Sequence, residues 1–244
     1  EYLKKSALIA NVGSFTGVMI VKQSQYRTSL MKLNTRLTLP TFILGLIIVA
    51  IPFTANWNLP LHNGTVVRWI ENGQALWLLF GALFTLSYIR PLSRPEGEKQ
   101  FWLWAAVWWL VLLGRSTSWG RDYFPEHPKL LFRVISVVLI AMIILPVLIS
   151  KRLRQDIARR LRNEPLPLWL LAITTCAFLI SDTVEHHRLL APVFLHNAQY
   201  GDLIEELYEL PFMVGLFLMN LGFMQRDKQE ESAAIRFSEP QLAK

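Results

Sequence analysis

Six long apolar blocks restrict this chain more than any other feature of its sequence. They run over about 37–55, 69–90, 101–119, 132–150, 166–184 and 203–224. Each is close to the ~20 residues that a helix needs to cross a hydrocarbon core. Inside lipid a segment must satisfy its own backbone N–H and C=O groups, and a helix does so unaided. The connecting segments are short and rich in Pro, Gly, Asn and charge: Asn56 to Val67, Pro91 to Gln100, Gly120 to Leu131, Lys151 to Pro165 and Glu185 to Asp202. Short connections make consecutive helices antiparallel neighbours. The expected fold is therefore all-α, a polytopic integral membrane helical bundle of about six transmembrane helices. No internal repeat is visible, so the inverted repeats of many secondary transporters are not expected.

Composition agrees. Of 244 residues, 52% are hydrophobic and only 18% are charged, against about a quarter charged in a soluble domain. The net charge of +7 lies in short loops beside apolar blocks, which points to membrane topology and away from nucleic acid. The single cysteine, Cys176, lies within an apolar block. It excludes an intrachain disulfide and a multi-cysteine metal centre.

The six-helix domain is expected over 31–226, with a polar cytoplasmic tail over 227–244. Residues 1–30 read as an N-terminal extension or a surface-lying segment, with a seventh span as the alternative. Their apolar stretch from Ser6 to Val21 is short and broken by Asn11, Gly13, Ser14 and Gly17, and Met31-Lys32 reads as a natural start. The stretch has the basic flank and apolar middle of a signal peptide, but no small-residue cleavage site follows it.

Cations set the expected orientation. Lys151, Arg152, Arg154, Arg159, Arg160 and Arg162 crowd one loop, and Arg90, Arg94 and Lys99 mark the loop two spans earlier. Lys32 and Arg36 precede the first span, and Arg226 and Lys228 follow the last. With six spans these all fall on one side, while the other side carries fewer loop and span-edge cations, among them Arg68, Arg121, Lys129, Arg133 and Arg188. The positive-inside rule puts both termini in the cytoplasm, N-in and C-in, of a bacterial-type inner membrane. Trp57, Trp69 and Trp119 then lie near the outer interface and Trp102 and Trp104 near the inner one, the depth that amphipathic rings favour. The basic run from Lys151 to Arg162 also suits an amphipathic helix touching anionic lipid, although topology alone accounts for it.

All the histidines, His62, His127, His186, His187 and His196, fall on the outer side. So do many acids, several within or against predicted spans, where charge is costly and tends to mark function. Four helix ends contribute. The last span opens with Asp202, Glu205, Glu206 and Glu209, and spacings of three and four put Glu209 on one face with each of Glu205 and Glu206. The fifth ends with Asp182, Glu185, His186, His187 and Arg188, the third with Arg115, Ser118, Arg121 and Asp122, and the second opens with Glu71.

Carboxylates and imidazoles in a bundle suit a divalent metal such as Zn, Fe or Mn. The expected ligands are His186, His187, Glu206, Glu209 and Asp182. Metal-bound water would serve as nucleophile, with Glu206 or Glu209 as catalytic base and Arg115 stabilising charge. Glu71, Ser118, Arg121, Asp122, Glu185 and Glu205 are the expected ligand-binding residues around them. Such a site implies a membrane hydrolase or transferase acting on a lipid-like substrate. The spacing is neither His-Glu-x-x-His nor Glu-x-x-His.

Three alternatives stand beside it. Acids in the first turns of a helix complement its dipole, so the residues form an ion-paired structural network in a scaffold or partner subunit. Arg115, Arg121 and Arg188 form a clamp for a polar ligand; the surrounding glutamates then favour a cationic or zwitterionic one. Small-solute transport needs a polar route to the inner side, and spans one and four offer almost no residues to line it. The partners implied are the lipid bilayer, a lipid-like or polar ligand and membrane partner subunits, and no nucleic acid.

Clustered carboxylates and histidines at one end of a small bundle resemble the alkaline ceramidase-like membrane hydrolases. That pattern needs paired histidines one turn apart on a late helix. The last span has Glu205, Glu206 and Glu209 and no histidine, so no residue roles carry over. Gly81 and Gly114 are expected at close helix contacts, and Pro146 and Pro211 at bends within spans.

Overall fold

The computed structural model describes residues 32–57, 59–121 and 123–238. The expectations for residues 1–30 and for Asp122 lie outside the described residues.

The chain is helical almost throughout. Pro40 opens α1 (Leu39–Ala50), where its missing N–H costs nothing, and α1 continues into a 3-10 stretch, Ile51–Trp57. Next come α2 (Thr65–Ile89), α3 (Glu96–Ser116), α4 (Lys129–Ile149) and α5 (Lys151–Asn163). They are followed by α6 (Leu168–Glu185), the short α7 (Ala191–Phe194) and α8 (Gly201–Ser238). Arg90 stops α2 in a left-handed conformation just before Pro91, which cannot continue a helix. Two-residue strands, β1 (Leu33–Asn34) and β2 (Leu166–Pro167), pair in parallel with Leu33 opposite Leu166. They tie the segment before α1 to the start of α6.

The core runs the length of the bundle in three buried clusters. Ile51, Val184, Ile204 and Tyr208 close one end, Leu78, Ala82, Trp109 and Met213 fill the middle, and Ile89, Trp102 and Met224 close the other end. α8 is the central helix and packs on α6, α2 and α1, while α3 packs on α2, α4 and α5. Glycines set two of these approaches. A Cβ on Gly81 would stand 2.7 Å from the Trp109 indole, and one on Gly215 would collide with Thr174 Oγ1. Gly81 thus serves the expected close packing of α2 on α3. Gly114 instead makes room for the Trp119 ring of the turn that follows its own helix.

Among the described residues, five helices are long and apolar enough to cross a membrane: Leu39–Trp57, His62–Ser93, Lys129–Ile149, Leu168–Glu185 and Ala198–Ala233. The third expected block, α3, matches them in length but carries Glu96, Glu98, Lys99 and Arg115 near its ends and four tryptophans between. Large apolar side chains cover the outside, among them Leu39, Val49, Trp69 and Ile149. α4 is the most peripheral helix, with only 6% of its apolar window buried.

The basic end departs most from expectation. The Lys151 to Pro165 segment, expected as a connection whose basic run also suits an amphipathic helix, is mostly the helix α5, with Ser150 accepting a cap hydrogen bond from Leu153 N at 3.2 Å. Leu153, Asp156 and Arg160 share one buried face. Arg160 donates to both oxygens of Asp227 at 2.9 and 2.8 Å and to Asp156 at 2.9 Å. Trp102 Nε1 donates to Asp227 at 2.7 Å, and the Phe101 ring lies 4.2 Å from the guanidinium. Burial opposes the Arg160 charge, but the hydrogen bonds and charges of Asp227 and then Asp156 outweigh it and hold its pKa above the ordinary value. The expected tail boundary at 226/227 therefore falls inside α8, and Asp227 belongs to the packed structure.

Candidate functional site

Four helix ends meet at the end opposite this network. The first turns of α2 bring Glu71 and Gln74, and the last turn of α3 brings Arg115 and Ser116. Ser118 follows from the next turn, Glu185 closes α6, and Glu205, Glu206 and Glu209 come from the first turns of α8. Together they line a pocket of about 190 Å³ floored by Leu78, Leu112, Phe212 and Met213.

The acid-bearing turn of α8 is held from both sides through its backbone. Gln74, buried on α2, donates to the Glu206 carbonyl at 3.0 Å, and Ser181 of α6 donates to the Glu205 carbonyl at 3.4 Å. Pro211 has no N–H for the carbonyl four residues back, which weakens the helical ladder in this turn and makes outside donors more valuable. The turn after α3 is also unusual: Ser118, Trp119 and Gly120 have φ of 47°, 62° and 98°. Left-handed backbone at two non-glycine residues is costly and tends to persist where surrounding structure imposes it. Here Trp119 is seated against Gly114, and the turn brings Ser118 to the pocket.

Charge is uneven in this pocket. Five carboxylates, Glu71, Glu185, Glu205, Glu206 and Glu209, share it with one guanidinium, Arg115. Arg115 Nη2 lies 3.7 Å from Glu185 Oε2, and its guanidinium lies over the Phe178 ring at 5.8 Å. Glu206 Oε2 is buried with no hydrogen-bond partner. An unpartnered carboxylate oxygen among like charges is strongly disfavoured unless a cation or proton joins it.

Four of the five sequence-expected metal ligands fall into two neighbouring groups. Glu206 and Glu209 face the pocket. Asp182, Glu185 and His186 gather at its rim with ligand atoms within 4.8 Å of one another. His186 Nδ1 is 3.5 Å from Asp182 Oδ1 and 3.7 Å from Glu185 Oε2. Arg188 bridges to Asp182 at 2.9 Å, so the rim group already contains a cation. His187 belongs to neither group. It is exposed and takes φ 47° as the chain turns away from α6, which is why adjacent histidines diverge here. Glu185 links the two groups.

Arg121 lies in an adjoining basic hollow. This hollow, about 490 Å³, shares Arg115 and Ser118 with the acidic pocket and adds Arg121, Lys129 and Arg133. Lys129 and Arg133 open α4 four residues apart and so share a helix face. In the sequence both were counted only toward the cations of the outer side. On the other side Tyr123 donates to Asn72 at 2.6 Å, fastening the loop after α3 to α2.

Deeper along the α2–α8 seam, Asn220 donates to Thr85 at 2.9 Å. The buried residues Leu78, Ala82, Trp109 and Met213 lie between that pair and the acidic pocket. Among known proteins, no family, no curated protein and no solved structure matches this chain.

Proposed function

We propose that this chain is a multi-pass inner-membrane protein with six spans, α3 being the sixth, and both termini in the cytoplasm. Its outward-facing site binds the zwitterionic or cationic headgroup of a lipid-like molecule. One observation carries the reading: an acidic pocket and a basic hollow lie side by side and share Arg115 and Ser118. An ammonium group suits the five carboxylates. A phosphate linked to it by a short chain suits Arg115, Arg121, Lys129 and Arg133, since arginine pairs well with phosphate oxygens. Hydrolysis or group transfer on such a headgroup would use Glu206 or Glu209 as base and Arg115 for developing charge. The apolar plug of Leu78, Trp109 and Met213 argues against passage of a solute through one copy.

A second reading rests on the rim group of Asp182, Glu185 and His186, which has the ligand types for a divalent metal such as Zn, Fe or Mn. One experiment separates the two. The protein and its Glu206→Gln, Glu209→Gln variant are purified without chelators. Metal content is measured, and retention of phosphatidylethanolamine against phosphatidylglycerol is compared by native mass spectrometry. Selective retention of the zwitterionic lipid, lost in the variant, supports the headgroup site. Stoichiometric metal that survives in this variant and is lost in Asp182→Asn supports the rim site. Neither result, in folded proteins, leaves an ion-paired structural network of a scaffold or partner subunit.

A further inference from the structure

We infer that the groove between α3 and α4 at the basic end of the bundle is a specific seat for one anionic phospholipid, distinct from the acidic-end site. The groove has a volume of about 680 Å³ and runs between Trp104 and Val107 of α3 and Met142 and Leu145 of α4, ending at Gln100 and Ser150. Its floor is fixed. Trp104 Nε1 donates to the Ile143 carbonyl at 3.0 Å, beside the Met142 carbonyl that Pro146 leaves without its helical donor. Ser150 hydrogen-bonds to Gln100 and closes the polar end.

Cations stand at that end and only there. Lys151 and Arg154 are exposed in the first turn of α5, directly after the groove, and neither has an acidic partner among the described residues. Arg154 is held in place by hydrogen bonds to the Val147 and Leu148 carbonyls at 2.9 and 2.5 Å. Arg152 and Lys99 are less available, being 3.7 and 3.6 Å from Glu96. An apolar slot open along the side of the bundle, with two cations free of acidic partners just beyond its polar end, complements an acyl chain joined to a phosphate. Basic pockets between helices at the membrane surface recognise anionic headgroups in this way. Helix α4, otherwise scarcely covered, would gain a neighbour along its α3-facing side.

The test uses the full chain in mild detergent and in phosphatidylcholine nanodiscs carrying a minor fraction of phosphatidylglycerol. Native mass spectrometry should show one phosphatidylglycerol retained in preference to phosphatidylcholine. Lys151→Gln, which breaks no hydrogen bond or ion pair among the described residues, should lower that preference by roughly fivefold, and adding Arg154→Gln by a similar factor again. Ala141→Phe, which fills the groove, should abolish retention while Lys151 and Arg154 remain. Equal retention of the two lipids, or a preference unchanged by Lys151→Gln, overturns the inference. So does a dimer that Ala141→Phe dissociates, because a second copy would then occupy the groove.

Discussion

Arg160 of α5 and Asp227 of α8, 67 residues apart, meet through two parallel hydrogen bonds with side chains only 3% and 4% exposed. Removing one partner of a buried pair costs about 3–5 kcal/mol, because the other charge stays buried. Asp227→Asn should fall near the lower figure, since Asp156 still engages Arg160. Arg160→Met combined with Asp227→Leu should recover much of the loss. Thermal unfolding in detergent measures both, and an Asp227→Asn variant as stable as the parent would contradict the arrangement.

Glu164, at the end of α5, gives this network a pH dependence. Burial raises its pKa; Arg160 opposes that shift, and Asp227 adds to it. A carboxyl raised in the folded state favours folding most when protonated. Its contribution is therefore full below the unfolded pKa and lost as pH rises through the raised folded value. Stability should decline as pH climbs from the ordinary carboxylate range toward neutrality, and Glu164→Gln should flatten that part of the profile. Melting temperatures of the two proteins across the range decide it.

Gly81 allows α2 to approach the buried indole of Trp109. Gly81→Ala puts a methyl 2.7 Å from that ring, and overpacking of this kind costs about 1–3 kcal/mol. Trp109→Phe in the same chain should relieve part of the cost. Gly73, in the same helix, has nothing within 4 Å of its Cβ position. Gly73→Ala should gain up to about 1 kcal/mol from helix propensity alone. Equal effects at the two glycines would show that α2 and α3 are not packed as described.

The proposed crossing of α3 is open to labelling. With Cys176 replaced by Ser, Ser93→Cys and Glu126→Cys put single exposed thiols in the loops at the two ends of α3. A membrane-impermeant maleimide added to intact cells should label only Glu126→Cys. Labelling at both positions would remove α3 from the membrane.

Much of the acidic pocket was legible from linear order. Antiparallel helices with short loops put the end of one beside the start of the next, so Glu71, Arg115, Ser118, Glu185, Glu205, Glu206 and Glu209 were expected at one end. Helical spacing put Glu205 and Glu206 each on a face with Glu209. Spacing within one helix does not fix its rotation against another. Thr174 seated against Gly215 sets how α6 faces α8. The end of α6 then gathers Asp182, Glu185 and His186 at the rim, while Glu206 and Glu209 look into the pocket. The basic hollow was missed because Lys129 and Arg133 entered the sequence reading only as outer-side topology cations, until α4 brought them beside Arg115.

The sequence by itself determined the helical character, the apolar blocks and the separation of basic from acidic ends, because these depend on local hydrophobicity and on charge counted along the chain. Tertiary structure alone decided which charges are buried. Nothing in the order of residues separates Arg160 and Asp227 from the exposed Arg152, Arg154, Glu230 and Glu231 side chains near them in the chain. Only the packing of α5 against α3 and α8 excludes water there, and exclusion of water turns an ordinary ion pair into a fixed joint.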